Sequence, residues 1–363
     1  MKATVSQESL FAGLRRVLNI VSTRTTLPAL NNVLMECEDG KIVLTTTDLE
    51  VCIRTTLDAD VTEAGATTLP AKKFAQIIGS LPSGEISLDT DDNQLTAISC
   101  LKSFFKIVGL ADNEFPRDSE FSEEWGFTIP ADEFKKSLAK VSYASSTDET
   151  RHVLNGILLS LRSGVLTMAA TDGRRLALVE RTLEGDSLPD GDVILPPKVV
   201  TELERTMPSN GDVSVKLSEA RAAFSFGATF ITSKLVEGTY PNYRQVIPAN
   251  FTQSIGIPRE TFAAVLNRVS MVVTESSSSV RLRLENGVVT ISATSNEFGE
   301  ANEPVDVSYE GEPFEIAFNP VFFGDPLRHL ECDELLMQFN DEYSPVSIAG
   351  DEGFLCVVMP MRG

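Results

Sequence analysis

Histidine is nearly missing. His152 and His329 are the only two in 363 residues, so a histidine-dependent triad or a multi-histidine metal site is poorly supplied. The five cysteines, Cys37, Cys52, Cys100, Cys332 and Cys356, are scattered, and no CxxC pair occurs. That excludes a disulfide framework and a cysteine-type zinc site. No GxxxxGK[ST], no GxSxG and no GxGxxG after a strand is present. Carboxylates are plentiful but spread through turns, with no paired cluster suited to metal-assisted phosphoryl chemistry. The sequence therefore calls for no metal and no cofactor. No stretch approaches the roughly 18 uninterrupted apolar residues of a membrane span. The opening MKATVSQESL lacks the apolar segment of a signal peptide, so the chain is expected in the cytoplasm. Two rival classes are weakened by these absences. A hydrolase would have only scattered carboxylates to work with, and a repeat adhesin would need an export signal.

What is present is ordinary globular composition, 42% hydrophobic and 23% charged, in a chain long enough for two or three domains. It is also repetitive. Leu69-Pro70-Ala71-Lys72 opens a segment closing at Leu81-Pro82, and Leu195-Pro196-Pro197-Lys198 opens another closing at Met207-Pro208. A weaker third copy runs from Phe318-Asn319-Pro320 to Leu330. Thr47-Asp48, Thr171-Asp172 and Thr294-Ser295 each end a β-rich run, and Phe115-Pro116 is matched by Tyr240-Pro241. Several matches in one order mean three tandem copies of one domain, expected at 1–122, 123–250 and 251–363.

Each copy reads as an amphipathic helix, several strands, a second helix and more strands, which makes an α+β domain with antiparallel sheets. Helices are predicted at 6–22, 71–81, 131–144, 197–208, 259–273 and 319–331. Ser6 is a good N-cap, and Leu10, Leu14, Val17, Leu18 and Val21 share one face. Arg15 and Arg16 point away from that face. In the second copy Phe134, Leu138 and Val141 form the stripe, with Lys135, Lys136 and Lys140 placed opposite. The third uses Phe262, Leu266 and Val269. Asp39-Gly40, Ser163-Gly164 and Asn286-Gly287 are hairpin turns ahead of strands.

Charge is unevenly distributed. Thirty-one Lys and Arg against fifty-two Asp and Glu give −21 overall. The six predicted helices nevertheless hold twelve cations, including Lys72, Lys73, Lys198, Arg205 and Arg268, against eight acids. Solvated helix faces account for some of this, but Glu is as good a helix former as Lys or Arg, and it does not dominate. The alternative is that the helices line one surface facing a polyanion, holding phosphates without reading bases.

The triplicated domain, the Leu-Pro-Ala-Lys-Lys-Phe helix, Leu154-Asn155-Gly156, Thr171-Asp172-Gly173-Arg174-Arg175-Leu176, Tyr240-Pro241-Asn242-Tyr243 and the terminal Val357-Val358-Met359-Pro360-Met361-Arg362 together resemble the bacterial DNA polymerase III beta subunit family, the replicative sliding clamps. The likeness runs the length of the chain. It implies a non-catalytic processivity factor, a head-to-tail homodimeric ring whose helices surround double-stranded DNA irrespective of sequence. Positions matching the family's subunit interface are Phe105 and Ile107 on one side and Met271 and Val272 on the other; ordinary core packing is the competing reading of these four.

The resemblance also implies a pocket for short linear motifs. The partners would be the DNA polymerase III catalytic subunit, the clamp loader, and other polymerases and repair proteins. Its matching positions are Leu154, Thr171, Gly173, Arg174, Arg175, Leu176, Pro241, Val246, Asn319, Phe322, Val357, Met359, Pro360, Met361 and Arg362. Leu176, Val246 and Met361 would make an apolar floor, with Arg174 and Arg175 at the rim. Without the resemblance, Asp172-Gly173 reads as a hairpin turn and 357–361 as a final strand. Arg24 and Arg151 match positions near the duplex in the family, and His152 and Val153 stand where some relatives carry a tyrosine pair. Gln245 and Ser277 depart from the family pattern, replacing a basic residue and an aromatic.

Overall fold

A computed structural model describes residues 1–21, 27–117, 121–184, 188–275 and 278–361. Its α-helices are α1 (Gln7–Val17), α2 (Ala71–Ser80), α3 (Ala131–Ser142), α4 (His152–Asn155), α5 (Pro197–Thr206), α6 (Arg259–Val269) and α7 (Pro320–His329).

The predicted repeat is visible in how these helices begin. Strands Lys2–Ser6, Trp125–Pro130 and Gln253–Pro258 lead directly into α1, α3 and α6, and strands Gly65–Pro70, Gly191–Leu195 and Phe314–Phe318 lead into or to the threshold of α2, α5 and α7. Ser6 caps α1 as expected, its Oγ accepting from the Ser9 amide at 3.1 Å. Asn319 does the same for α7, accepting from Val321 N–H at 3.0 Å. The long predicted helices stop early, because the last turns tighten into 3-10 turns at Leu18–Ile20 and Ser270–Val272, a common end for an α-helix. The single turn α4 lies outside the predicted helices.

The chain forms two compact units. One comprises Met1–Asp132 and Thr201–Leu235, the other Glu133–Val200 and Val236–Gly363. The second repeat contributes to both units, and sheet sharing is the reason. In the first unit, an eight-stranded sheet runs Trp125–Pro130, Asp212–Leu217, Arg221–Phe226, Thr229–Lys234, Val51–Asp58, Lys41–Thr47, Asn32–Glu38, Gly65–Pro70. Its seam joins first and second repeats, with Ile231 opposite Ile53. A five-stranded sheet runs Asp60–Glu63, Lys2–Ser6, Glu85–Thr90, Leu95–Cys100, Ser103–Val108.

The second unit repeats the plan. Its eight-stranded sheet runs Gly191–Leu195, Ile157–Arg162, Val165–Thr171, Arg175–Thr182, Phe354–Val358, Val346–Ala349, Glu334–Phe339, Gln253–Pro258. Its seam joins second and third repeats, with Leu176 opposite Val357. The four-stranded sheet runs Gly299–Asp306, Val288–Ser295, Val280–Glu285, Phe314–Phe318. Neighbouring strands are antiparallel, and the hairpins turn at Asp39-Gly40, Ser163-Gly164 and Asn286-Gly287, where the glycines have positive φ.

Helix stripes fill the core. Leu10, Leu14 and Val17 of α1, Phe74 and Ile78 of α2, Phe134, Leu138 and Val141 of α3, and Phe262 and Val269 of α6 are all buried. Gly79 of α2 lies so near Phe11 of α1 that a Cβ would sit 2.6 Å from its ring. Any larger residue there requires the Phe11 ring to move.

Candidate functional site

The helix cations fall into three situations. Arg15, Arg16, Lys72 and Lys73 are exposed; of these, Lys73 Nζ donates to the neutral Gln76 Oε1 at 3.0 Å. Others are exposed but paired. Lys136 lies 3.0 Å from Glu331, and Arg268 grips Glu303 through both its Nε and Nη2. That grip raises the Arg268 pKa and lowers that of Glu303. Lys135 is half-buried and Lys198 exposed, and both are engaged by neighbouring groups. Arg205 is spent on structure. It bonds Glu202 Oε2 at 2.6 Å and donates to the carbonyls of Arg15 and Arg16 at 3.2 and 2.9 Å, holding the end of α1.

Lys140 corrects the sequence reading. Periodicity puts it on the solvent face of α3, yet it is buried and its Nζ meets Asp351 Oδ2 at 2.5 Å. The side of α3 opposite its apolar stripe is covered there, which helical periodicity alone does not reveal. Asp351 Oδ1 also accepts the amides of Glu331 and Cys332 at 3.1 and 2.9 Å. Burial pushes the Asp351 carboxyl up, but the Lys140 ammonium and the two amides outweigh it and hold it below the usual carboxylate range. Arg24 lies outside the described residues. Arg151 and His152 are exposed, and Arg151 Nη1 reaches the Asp172 carbonyl at 3.2 Å while its Nε lies 3.6 Å from Asp148.

The expected pocket residues gather in the second unit around one turn. Asp172 Oδ1 accepts the amides of Arg174 and Arg175 at 2.8 and 3.0 Å. Thr171 Oγ1 accepts from Gly173 N–H at 3.1 Å and donates to the Arg175 carbonyl at 2.6 Å. Gly173 sits at φ +85°, a region glycine enters without strain. Beneath the turn, Leu176 and Val357 are buried with Leu158, Ala169, Leu178 and Tyr243, and Tyr240, Ile247 and Leu355 pack against them. Val246 is 50% exposed and Met359 41%, Pro241 and Arg174 are exposed, and Leu154, Pro360 and Met361 are half-buried. The final segment is tied at both ends. Met359 N–H donates to the Arg174 carbonyl at 2.9 Å and Met361 N–H to the Ala317 carbonyl at 2.7 Å. Arg362 and Ser277 lie outside the described residues.

Arg175 is a second correction. It is expected at the rim, but its side chain is only 9% exposed. Nε bonds Asp172 at 3.2 Å, Nη1 bonds Asp325 at 2.6 Å, and Nη2 donates to the Tyr143 carbonyl at 2.6 Å. The guanidinium also lies 4.8 Å from the Phe322 ring centre and 5.4 Å from that of Tyr143. It therefore braces the pocket wall from behind, leaving Arg174 as the rim cation. Asn319 caps α7 and so positions Phe322.

Sequence reasoning misses Tyr143, Tyr240, Tyr243 and Asp325 as site residues. Tyr240 Oη accepts from Thr171 N–H at 3.1 Å, and burial pushes its phenol up. Its signal is the Tyr-Pro-Asn-Tyr motif. Tyr143 and Asp325 give none, because only the fold brings them to Arg175.

The expected subunit surfaces are on a sheet edge and a helix end. Ser103–Val108 is the edge of the five-stranded sheet and, among the described residues, pairs on one side only, with Leu95–Cys100. Phe105 is 37% exposed, but Ile107 is buried, taking the core alternative opposite Thr96. On the other face of this edge Phe104 and Val108 are exposed, and neither is among the expected positions. Met271 is exposed and Val272 half-buried, on the 3-10 turn after α6. Cys37 and Cys356 are buried, and burial raises their thiols to about 11 and about 12, far from a reactive thiolate. Among the described residues no group of three or more His, Cys, Asp or Glu is arranged to hold a metal, and no helix is long and apolar enough to cross a membrane.

Comparison with known proteins meets this geometry at every repeat. Three family models match in order: the N-terminal domain of the DNA polymerase III beta subunit over residues 1–119, the central domain over 128–242 and the C-terminal domain over 244–362. The chain is 34% identical over 368 residues to the beta sliding clamp of Proteus mirabilis, with both chains fully covered. It is 32% identical over 362 residues to that of Chlamydia muridarum, covering 100% of this chain and 99% of that one. A crystal structure of a DnaN sliding clamp from Pseudomonas aeruginosa, bound to griselimycin, superposes with a TM-score of 0.96 at 32% identity over the whole of both chains. Threefold repetition, shared antiparallel sheets and full-length similarity thus agree: the chain belongs to the DNA polymerase III beta subunit family, the non-catalytic sliding clamps of DNA replication.

Proposed function

We propose that two copies of the chain close head to tail into a ring around double-stranded DNA, and that the ring tethers the replicative polymerase. The repeats, taken as 1–122, 123–250 and 251–363, would supply six domains per ring. A heterologous contact that closes on itself needs two different surfaces. The Ser103–Val108 edge with Phe105 and the Met271 turn are two such surfaces. Exposed helix cations in a chain of −21 are the observation that carries the DNA reading. Positive lining attracts phosphate without base contacts, and an acidic remainder discourages binding elsewhere. A closed ring retains DNA by topology, so phosphate affinity stays modest and sliding stays fast.

The groove around Leu176, Val246, Pro241, Met359 and Met361 is the docking site for short motifs of the polymerase catalytic subunit, the clamp loader, and other polymerases and repair proteins. Methionines there adapt to differing partners. The protein works in the cytoplasm, without a cofactor. Two measurements test this reading. Native mass at micromolar concentration gives twice the 39.5 kDa of the chain; a monomer contradicts the ring. Removing Met361–Gly363 leaves a folded dimer but weakens binding of a polymerase-derived motif peptide by about thirtyfold, the effect of losing an anchor worth about 2 kcal/mol. Unchanged affinity in the shortened, folded protein places the groove elsewhere.

A further inference from the structure

We infer that the charge holding duplex phosphates is concentrated on the first repeat, on α1 and α2, and is not shared evenly among the three repeats. The inference rests on the DNA reading above and refines it. By composition α1 and α2 carry four cations, Arg15, Arg16, Lys72 and Lys73, against one acid, Glu8. The helices α3, α5, α6 and α7 carry eight cations against six acids. Pairing widens the difference. Lys136 is bound to Glu331, Lys140 to Asp351, Arg205 to Glu202, Arg259 to Glu260, Arg268 to Glu303 and Arg328 to Asp325. Among the described residues Arg15, Arg16 and Lys72 have no carboxylate partner, and Lys73 meets only a neutral amide.

Two physical consequences follow. A cation already facing a carboxylate presents little net field to a phosphate, and to bind one it must give up its partner. A free, exposed arginine or lysine gives up only counterions and water, and releases condensed counterions from the DNA in return. The free set is also held in place. Arg205 fixes the carbonyl ends of Arg15 and Arg16 in the last turn of α1, and the absence of a side chain at Gly79 lets α2 lie against Phe11 of α1. All of these groups belong to one compact unit, so α1 and α2 carry Arg15, Arg16, Lys72 and Lys73 on one fixed frame.

The test uses the full-length protein and a short linear duplex with free ends, which threads without a loader. Binding is followed by fluorescence anisotropy across a salt series. One variant carries Arg15→Gln, Arg16→Gln, Lys72→Gln and Lys73→Gln; the other carries Lys136→Gln, Lys198→Gln and Arg268→Gln. Melting curves and native mass confirm that both are folded dimers. The slope of log affinity against log salt falls by roughly 0.9 for each phosphate that the first variant no longer neutralises, and stays at the unmodified protein's value in the second. Equal reductions per charge removed, or a larger reduction in the second variant, overturn the inference while leaving the DNA reading intact. If the unmodified protein shows no salt-dependent binding, the DNA reading itself fails and this inference falls with it.

Discussion

Two turns in the molecule share a backbone and differ in their side chains. In the first repeat Asp48 Oδ1 accepts the amides of Glu50 and Val51 at 3.0 and 2.8 Å, and Thr47 Oγ1 binds Leu49 N–H and the Val51 carbonyl at 3.1 and 3.0 Å. In the second, Asp172 and Thr171 make the same four bonds. Even the neighbouring strand docks alike, Lys234 N–H on the Glu50 carbonyl and Met359 N–H on the Arg174 carbonyl, both at 2.9 Å. The side chains then diverge. Leu49, Glu50 and Val51 stand where Gly173, Arg174 and Arg175 stand in the second repeat. Val51 is buried in an apolar core, while Arg175 opens a polar brace. The second-repeat turn thus differs from the first by three side chains on a repeated frame, with no new backbone.

Breaking the brace has the largest expected effect. Arg175→Met leaves Asp325 with Arg328 alone and Asp172 with backbone amides alone in a nearly closed site, a loss of about 2–3 kcal/mol from the charged hydrogen bonds removed. Arg175→Lys recovers only part, because an ammonium lacks the planar fork that serves three acceptors. Thermal melts of the two variants measure this; equal stability to the unmodified protein would mean the network is idle.

Exchanging the glycine comes next. A Cβ at Gly173 would find only Arg151 Nη1, at 3.5 Å, so the penalty of Gly173→Leu is conformational, about 1–2 kcal/mol for an L-residue at positive φ. The proposed docking site at this turn predicts that motif-peptide affinity falls as well. The converse is smaller. Leu49 already sits at φ +78°, so Leu49→Asn, whose side chain tolerates that region, raises stability by about 0.5–1 kcal/mol. A drop in melting temperature would show that exposed Leu49 is held there by something its 46% exposure does not reveal.

The last contrast is read in acid, as a slope. Asp351 is held below the usual carboxylate range. Its contribution is therefore full above the unfolded carboxyl pKa and is lost as pH falls through the lower folded value. Lys140→Met weakens that dependence, since only the two amides then oppose burial, and flattens the melting-temperature profile below about pH 4, where an unfolded aspartate begins to protonate. A profile unchanged by the substitution rules the pair out as the acid-sensitive element.

Much of the fold is legible in the residues. Repeated Leu-Pro openings, the Ser6 cap and the glycine hairpins report local events that sequence spacing controls. Lys140 and Arg175 are not legible, for a common reason. Each looks solvated on its own element, and each is buried by a partner more than a hundred residues away, Asp351 and Asp325. Ile107 shows the limit of edge-strand reading, since alternation says that one face is inward without saying which. Arg15 and Arg16 lie away from the apolar face of α1 and are exposed, as their spacing implies.

The central claim is topological, and one measurement addresses it directly. The protein is loaded onto a nicked circular duplex, freed of unbound molecules by gel filtration, and divided into two portions, one of which is linearised at a single site. The account predicts retention on the circle through moderate salt and rapid loss from the linear form. Equal retention on both, or equal loss from both, would contradict a ring that holds DNA by enclosing it.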